Sequence, residues 1–103
     1  MSVQPEIVHQ PGKNRYVLNV HGREAGYATY SDVAAAGQQV RDFDYVVVDD
    51  AYRGHRLSIP LIQEALDDTR AEGLKIRTTC SAVERFLAKN EAYQDLVVND
   101  LND

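Results

Sequence analysis

The chain contains no tryptophan, one cysteine, one methionine, two phenylalanines and three prolines in 103 residues. A lone cysteine, Cys80, excludes an intramolecular disulfide and a cysteine-based zinc centre. With so little proline and only six glycines, collagen-like and low-complexity architectures are excluded as well. Basic residues are in deficit, eleven Lys+Arg against sixteen Asp+Glu, for a formal net charge of −5. That sign argues against a surface built to grip phosphate backbones, so nucleic acid is not an expected partner. Long apolar runs are missing too. Even the longest, of which Tyr45-Val46-Val47-Val48 is one, fall far short of the roughly 20 residues that span a bilayer. The start, Met1-Ser2-Val3-Gln4-Pro5-Glu6, has neither the basic nor the apolar region of a secretory signal. A soluble, cytoplasmic protein without membrane contact is the expectation.

What remains suits one small domain over residues 1–103. Hydrophobic residues make up 44% and charged residues 26%, a balance that supports a packed core without metal or disulfide staples. Glu6 to His9 reads as a short strand, and Gln10-Pro11-Gly12-Lys13-Asn14 supplies turn chemistry. Arg15 to Val20 alternates as a second strand, His21-Gly22-Arg23 turns, and Glu24 to Tyr30 returns as a third. Tyr16, Tyr27 and Tyr30 are expected to cover one face of this antiparallel meander. Ser31 to Val40 reads as a connecting loop with one helical turn. Phe43 to Val48 is apolar without clean alternation, as in a strand covered on both faces.

The period then changes. Leu57, Leu61, Ile62, Ala65, Leu66 and Thr69 recur at three- and four-residue spacing with Gly73 beyond them, which predicts a helix. Leu74 to Thr79 forms a fifth strand, which a right-handed crossover places parallel to the fourth. Ser81-Ala82-Val83-Glu84 reads as a capping box opening a second helix, which ends near Asn90. Tyr93, Leu96 and Val97 pack as a tail, and Asn99 to Asp103 is expected to fray. The fold class is α/β (α+β): order β-β-β-β-α-β-α, a mixed sheet with an antiparallel meander and a parallel pair of strands 4 and 5.

Chemistry concentrates in Asp49-Asp50-Ala51-Tyr52-Arg53-Gly54-His55-Arg56-Leu57-Ser58, which joins the fourth strand to the long helix. Such a turn aims unpaired backbone amides at one point, with the positive end of the helix behind them. That point suits a phosphate, and Arg53, His55 and Arg56 gather positive charge there. The competing reading is an exposed loop whose cations pair with Asp49 and Asp50. Asp49 and Asp50 also offer negative charge to a cationic amine, against the plainer role of solvating the surface. His9, His21 and His55 share no metal-ligand spacing and read as single exposed histidines. No metal is expected.

The order of elements, together with Tyr52-Arg53-Gly54-His55-Arg56-Leu57-Ser58 at the junction, resembles the GNAT superfamily of N-acetyltransferases. It is similar in particular to a single-domain branch of about 100 residues. Ala25-Gly26-Tyr27-Ala28-Thr29-Tyr30 resembles that branch's third strand, and the stretch from Ala65-Leu66-Asp67-Asp68 to Gly73-Leu74-Lys75 its helix-to-strand passage. Cys80 at the end of the fifth strand and Tyr93-Gln94-Asp95-Leu96-Val97 in the tail complete the likeness, which runs from Ile7 to Val98. The resemblance implies a GNAT-like fold and acetyl-CoA bound in the splay between strands 4 and 5. It implies that backbone amides of Arg53, Gly54, His55, Arg56, Leu57 and Ser58 hold the pyrophosphate. Main-chain groups of Val46, Val47 and Val48 would hold the pantetheine arm and polarise the thioester carbonyl. An amine, either a small molecule or a lysine side chain, would attack that thioester directly, without metal or covalent enzyme intermediate.

The chain departs from the family pattern at the site itself. Arg56 takes the place of the loop's central glycine, Pro60 follows within the helix start with Ser58 as the expected N-cap, and Tyr45-Val46-Val47-Val48 replaces the branch's His-Thr-Glu-Val. The arginine either substitutes a guanidinium for lost amide contacts or fills the pyrophosphate site. The second outcome corresponds to a non-catalytic GNAT-fold module acting through protein contacts or dimerisation. Cys80, at the strand end facing the acyl site, is the catalytic candidate, with a small buried hydrophobe as the alternative reading. Tyr45 and Tyr52 are equal candidates for carrying a proton. The expected partners are acyl-CoA and an amine acceptor, and the expected state is a monomer or weak homodimer.

Overall fold

His21 and Gly22, with φ of 53° and 78°, form a two-residue turn between Val20 and Arg23. Positive φ at both positions is the signature of a type I′ turn, whose twist matches that of the flanking strands. Around it the computed structural model describes residues 5–35, 37–52 and 56–98. Five strands are present: β1 (Pro5–Gln10), β2 (Arg15–Val20), β3 (Arg23–Ala35), β4 (Gln38–Val48) and β5 (Lys75–Thr78). Helix α1 (Ser58–Ala71) joins β4 to β5, and α2 (Ser81–Lys89) follows β5. Short 3-10 turns occupy Pro11–Lys13, Asp50–Tyr52 and Glu91–Leu96. The strands lie in sequence order, antiparallel from β1 to β4 and parallel between β4 and β5, as the sequence predicts.

One side of the sheet carries both helices. Leu61, Ile62, Ala65, Leu66 and Thr69 of α1 are buried, the stripe expected from their spacing. Val83, Phe86 and Leu87 of α2 join them over Tyr16, Leu18, Tyr30 and Phe43 in one cluster. Burying a side chain such as Leu61 or Leu66 contributes about 1.5–3 kcal/mol. The other side of the sheet presents Val8, Tyr45 and Val47 to solvent. Val97 bridges to Ile76, and the Val98 amide donates to the Ile76 carbonyl at 2.9 Å, so the chain's tail covers the free edge of β5.

Several expectations change. Ser31 to Val40 is not a loop with a helical turn: β3 runs on to Ala35 and β4 begins at Gln38, with Gly37 at φ 74° between them. Asp32 lies opposite Arg41 and Val33 opposite Val40, and these cross-strand pairs override the helical leaning of the alanine run. The fourth strand is not covered on both faces, because Tyr45 is 67% and Val47 40% exposed. Tyr27 pairs with Val17 and Val47, on the face opposite Tyr16 and Tyr30. The residue preceding α2 is Cys80, with no side-chain capping bond, so the capping box at Ser81 and Glu84 does not form. Likewise α1 starts at Ser58, with Leu57 rather than Ser58 in the cap position. Pro60 falls in its first turn, where a missing N–H leaves no helical bond unmade. The expected fraying of Asn99 to Asp103 lies outside the described residues.

Candidate functional site

Tyr30 pairs with Phe43 while Thr29 pairs with Tyr45, which leaves Asp44 as an extra residue on β4. A bulge of this kind bends the strand and shifts its alternation by one position. Phe43 therefore lies in the core, Tyr45 and Val47 face the open side, and Val46 and Val48 turn back toward the helices. The same point ends the pairing with β5. Thr78 is the last partner, and the Phe43 carbonyl accepts from Thr79 N at 3.3 Å and Thr78 Oγ1 at 2.9 Å. Beyond it, residues 45–48 are paired with β3 on one side and, among the described residues, with no strand on the other. Backbone donors and acceptors along that edge are available to a ligand.

The opening so formed is a cleft of about 280 Å³. Val46 and Val48 line one wall, Tyr52, Arg56 and Ser58 the end toward α1, and Ala82 the start of α2. Tyr52 is held by the 3-10 turn after β4, which Asp49 organises: its Oδ1 accepts from Ala51 N at 3.1 Å and its carbonyl from Tyr52 N at 2.9 Å. Arg56 adopts φ of 55°, the left-handed conformation that glycine takes without penalty. The arginine thus reproduces the backbone conformation for which glycine would be suited, and its carbonyl accepts from Ile59 N at 3.2 Å in the first turn of α1. Leu57 is buried and anchors this turn to the core.

Of the residues singled out in the sequence, Val46, Val48, Arg56, Leu57 and Ser58 meet at this cleft. Val47 points to the opposite face. Cys80 is half-buried against the core at the N-terminus of α2, its amide bonded to Thr78 Oγ1 at 3.0 Å, and Ala82 is the nearby residue that lines the cleft. Arg53, Gly54 and His55 lie outside the described residues. Tyr52 stands in the cleft wall whereas Tyr45 faces away, which separates two candidates that the sequence left equal.

A second, larger hollow of about 360 Å³ continues from the first, sharing Arg56, Ser58 and Ala82 with it. It lies between α1 and α2 and takes in Arg85, Phe86 and Lys89, none of which the sequence marks as a site residue. Their spacing with Ala82, at three, four and seven residues, is the one signal that marks them as one helix face.

At the far end of α1, roughly 15–20 Å from Ser58 by helical rise, a polar network fills the core edge. Arg41 is only 3% exposed and grips Asp32 through Nε and Nη2 at 2.8 and 3.1 Å. It also donates to the Glu72 carboxylate at 3.0 and 3.3 Å and to the Tyr16 hydroxyl at 2.7 Å. Tyr16 in turn donates to Asp68 at 2.6 Å. His9 stacks on Tyr16, shares a 2.6 Å hydrogen bond with the Tyr30 hydroxyl, and places Nδ1 3.2 Å from Asp68. His9 is therefore not a solitary exposed histidine, and Asp68 does more than solvate its helix. Burial, then the bond to Asp68, raises the Tyr16 hydroxyl well above its ordinary range. Burial pushes the Asp68 carboxyl up, but the hydrogen bond from Tyr16 and the charges of His9 and Arg41 outweigh it and hold the group below its usual value. His9, Asp68 and Glu72 bring ligand-type atoms within 4.8 Å of one another. The Arg41 guanidinium already engages Glu72 and approaches Asp68, so these carboxylates are part of an internal ion network.

The family model for GCN5-related N-acetyl-transferases matches residues 15–96. Protein NATD1 of Bos taurus is 33% identical over 91 residues, covering 87% of this chain and 78% of that protein. A GCN5-like protein from Staphylococcus aureus, solved by NMR, shares the fold with a TM-score of 0.67 at 23% identity, over 91% of this chain and 88% of that one. The GNAT family N-acetyltransferase YhbS of Escherichia coli, solved in complex with CoA, gives a TM-score of 0.64 at 19% identity, over 82% and 67%. Since the family match spans most of its length and its overall fold is shared with these structures, the chain belongs to the GCN5-related N-acetyltransferase family.

Proposed function

We propose that the chain binds acetyl-CoA in the cleft between β4 and β5 and transfers its acetyl group to an amine. The observation that carries this reading is the edge of β4 beyond the Asp44 bulge, unpaired among the described residues and opening onto Arg56 at the start of α1. An extended amide-containing arm such as pantetheine adds to a strand edge through main-chain hydrogen bonds. Val46 and Val48 give that arm an apolar wall. Arg56 has no ion-pair partner among the described residues, and with the backbone of Leu57 and Ser58 it supplies positive charge and amide donors for a pyrophosphate. This choice treats the guanidinium as a replacement for lost amide contacts rather than a plug.

Bound acetyl-CoA supplies an acyl group activated as a thioester. A neutral amine, R–NH₂, adds to its carbonyl, the C–S bond breaks, the amine is left acetylated as R–NH–COCH₃, and its proton ends on the departing thiolate, giving free CoA thiol, or in solvent. Tyr52, in the cleft wall, is the chain's proton-carrying candidate, and Cys80 is assigned to the wall at the acyl end. The acceptor class is a small amine or a lysine side chain.

The test is a titration of the purified protein with acetyl-CoA, followed through the amide resonances of residues 46–58 and 78–82. Saturable shifts confined to those segments, with a Kd below about 1 mM (roughly −4 kcal/mol), are expected. No shifts at millimolar ligand would overturn the proposal and turn the search to protein partners.

A further inference from the structure

Where β4 and β5 part, the Thr78 side chain bridges them. Thr78 Oγ1 donates to the Phe43 carbonyl at 2.9 Å and accepts from the Cys80 amide at 3.0 Å. The ladder itself is weak at this point. Its bond from Thr79 N to the same carbonyl is 3.3 Å, beyond the usual range for an amide and a carbonyl. The hydroxyl therefore makes the shorter link between the strands. Cys80 immediately precedes α2, and its own carbonyl accepts from Glu84 N at 3.0 Å in the first helical turn. One hydroxyl thus ties together Phe43 of β4, the end of β5 and the start of α2.

Those bonds decide which main-chain groups stay open. The Phe43 carbonyl receives two donors, which occupy both of its lone pairs. The groups open to a ligand therefore begin beyond it, on the edge of residues 45–48. The Cys80 amide stands at a helix start, where backbone donors lack an acceptor within the helix. Freed from Thr78, that amide would need another acceptor, and the edge of β4 offers unpaired carbonyls. A parallel ladder lengthened in this way would consume the groups that an amide arm requires. Resting on the acetyl-CoA reading above, we infer that Thr78 is a positioning residue for the acyl-CoA arm. Its hydroxyl fixes the apex of the cleft and holds the start of α2 off the β4 edge, so the edge is open before the ligand arrives. Serine keeps that hydroxyl, whereas valine keeps the branched shape and loses it.

The experiment is calorimetric titration of the full chain with acetyl-CoA, in the wild type and in Thr78→Val, Thr78→Ala and Thr78→Ser. Thermal melting of each protein is recorded beside it. Thr78→Val is expected to bind about tenfold more weakly, the scale of one lost hydrogen bond, and Thr78→Ser to stay within about twofold of the wild type. A purely structural role would lower melting and leave Kd unchanged at temperatures where every variant is folded. Thr78→Ala removes the hydroxyl without adding valine's second methyl. It is expected to match Thr78→Val, and it decides the matter where valine disturbs the fold. Amide hydrogen exchange of the ligand-free wild type needs no variant, and protection of the Cys80 N–H is expected. Wild-type affinity in Thr78→Ala, binding by Thr78→Ser as weak as by Thr78→Val, or an unprotected Cys80 amide would overturn this inference and leave the acetyl-CoA reading standing. Absence of binding by the wild type would overturn the two together.

Discussion

Gly26 faces the Val47 carbonyl so closely that a side chain at position 26 would collide with that oxygen and press on the Val48 Cα. Strands β3 and β4 meet here on the stretch that forms the cleft wall, and only a residue without Cβ allows the approach. Gly26→Ala must push β4 toward the opening. A loss of about 1–3 kcal/mol in stability is expected, the ordinary cost of overpacking. The accompanying shift of Val46 and Val48 should weaken acetyl-CoA binding further, so thermal melting and ligand titration are to be measured on the same sample. A variant with unchanged melting and binding would show that the strands can separate there at no cost.

Arg56 combines a glycine's backbone conformation with a cation's side chain. A non-glycine residue at φ of 55° carries roughly 1 kcal/mol of strain. Arg56→Gly relieves it, offset by the greater freedom of glycine in the unfolded chain, so melting should stay constant or rise slightly. Affinity for acetyl-CoA should fall about tenfold as the phosphate loses its guanidinium. Stability and affinity thus move independently. Tighter binding by Arg56→Gly would mean that the arginine obstructs the site.

How far the fold can be read from the sequence depends on which contacts decide each element. Helix α1 was legible because Leu57, Leu61, Ile62, Ala65, Leu66 and Thr69 bury one continuous stripe. The β3–β4 hairpin was not, because its strand state rests on the Asp32–Arg41 and Val33–Val40 pairs, whose partners only the folded chain brings together. The bulge was hidden for a different reason. With Val at 46, 47 and 48, both faces of β4 are apolar beyond Asp44, and a one-residue change of alternation leaves no trace. The left-handed backbone at Arg56 was equally invisible, since arginine advertises no such conformation. Arg85 and Lys89 share a helix face that the sequence does disclose, but it gains meaning only once α1 stands beside it.

Arg41 holds four elements together through Asp32, Tyr16 and Glu72. Arg41→Ala leaves Asp32, Asp68 and Glu72 without their shared cation. These carboxylates are 39–45% exposed and rehydrate in part, so a loss of about 3 kcal/mol is expected, the low end for breaking a buried pair. Arg41→Lys should recover little of it, because an ammonium cannot serve two carboxylates in fork geometry. Denaturant unfolding of both variants checks this. Near-complete rescue by lysine would reduce the network to simple charge balance.

The lowered Asp68 carboxyl makes stability fall in acid. A group depressed in the folded state favours folding above its unfolded value, 3.8, and that contribution disappears as pH drops below it. Melting curves between pH 3 and 6 should therefore decline more steeply in the wild type than in Asp68→Asn, with the difference concentrated below pH 4 or so. Tyr16 acts at the other end. Raised in the folded state, it keeps its proton while an unfolded tyrosine loses it above its ordinary value of 10.0, so stability falls again as pH rises past that point. Tyr16→Phe should soften this alkaline limb. Identical acid limbs for the wild type and Asp68→Asn would assign the acid sensitivity to other carboxylates.

Cys80 supplies a probe of the acyl end. It stands between Thr78, the last residue paired with β4, and α2, whose second residue, Ala82, lines the cleft. Its thiol is half-buried, so a small uncharged reagent should modify it slowly and a ligand filling the neighbouring cleft should slow it further. Saturating acetyl-CoA is expected to reduce the labelling rate several-fold, with protection following the same Kd as the amide shifts. Cys80→Ser should still transfer acetyl groups, because direct attack by the amine needs no acyl-cysteine intermediate. Equal labelling with and without bound ligand would remove Cys80 from the acyl wall, whereas loss of transfer in Cys80→Ser with intact binding would argue for covalent catalysis instead.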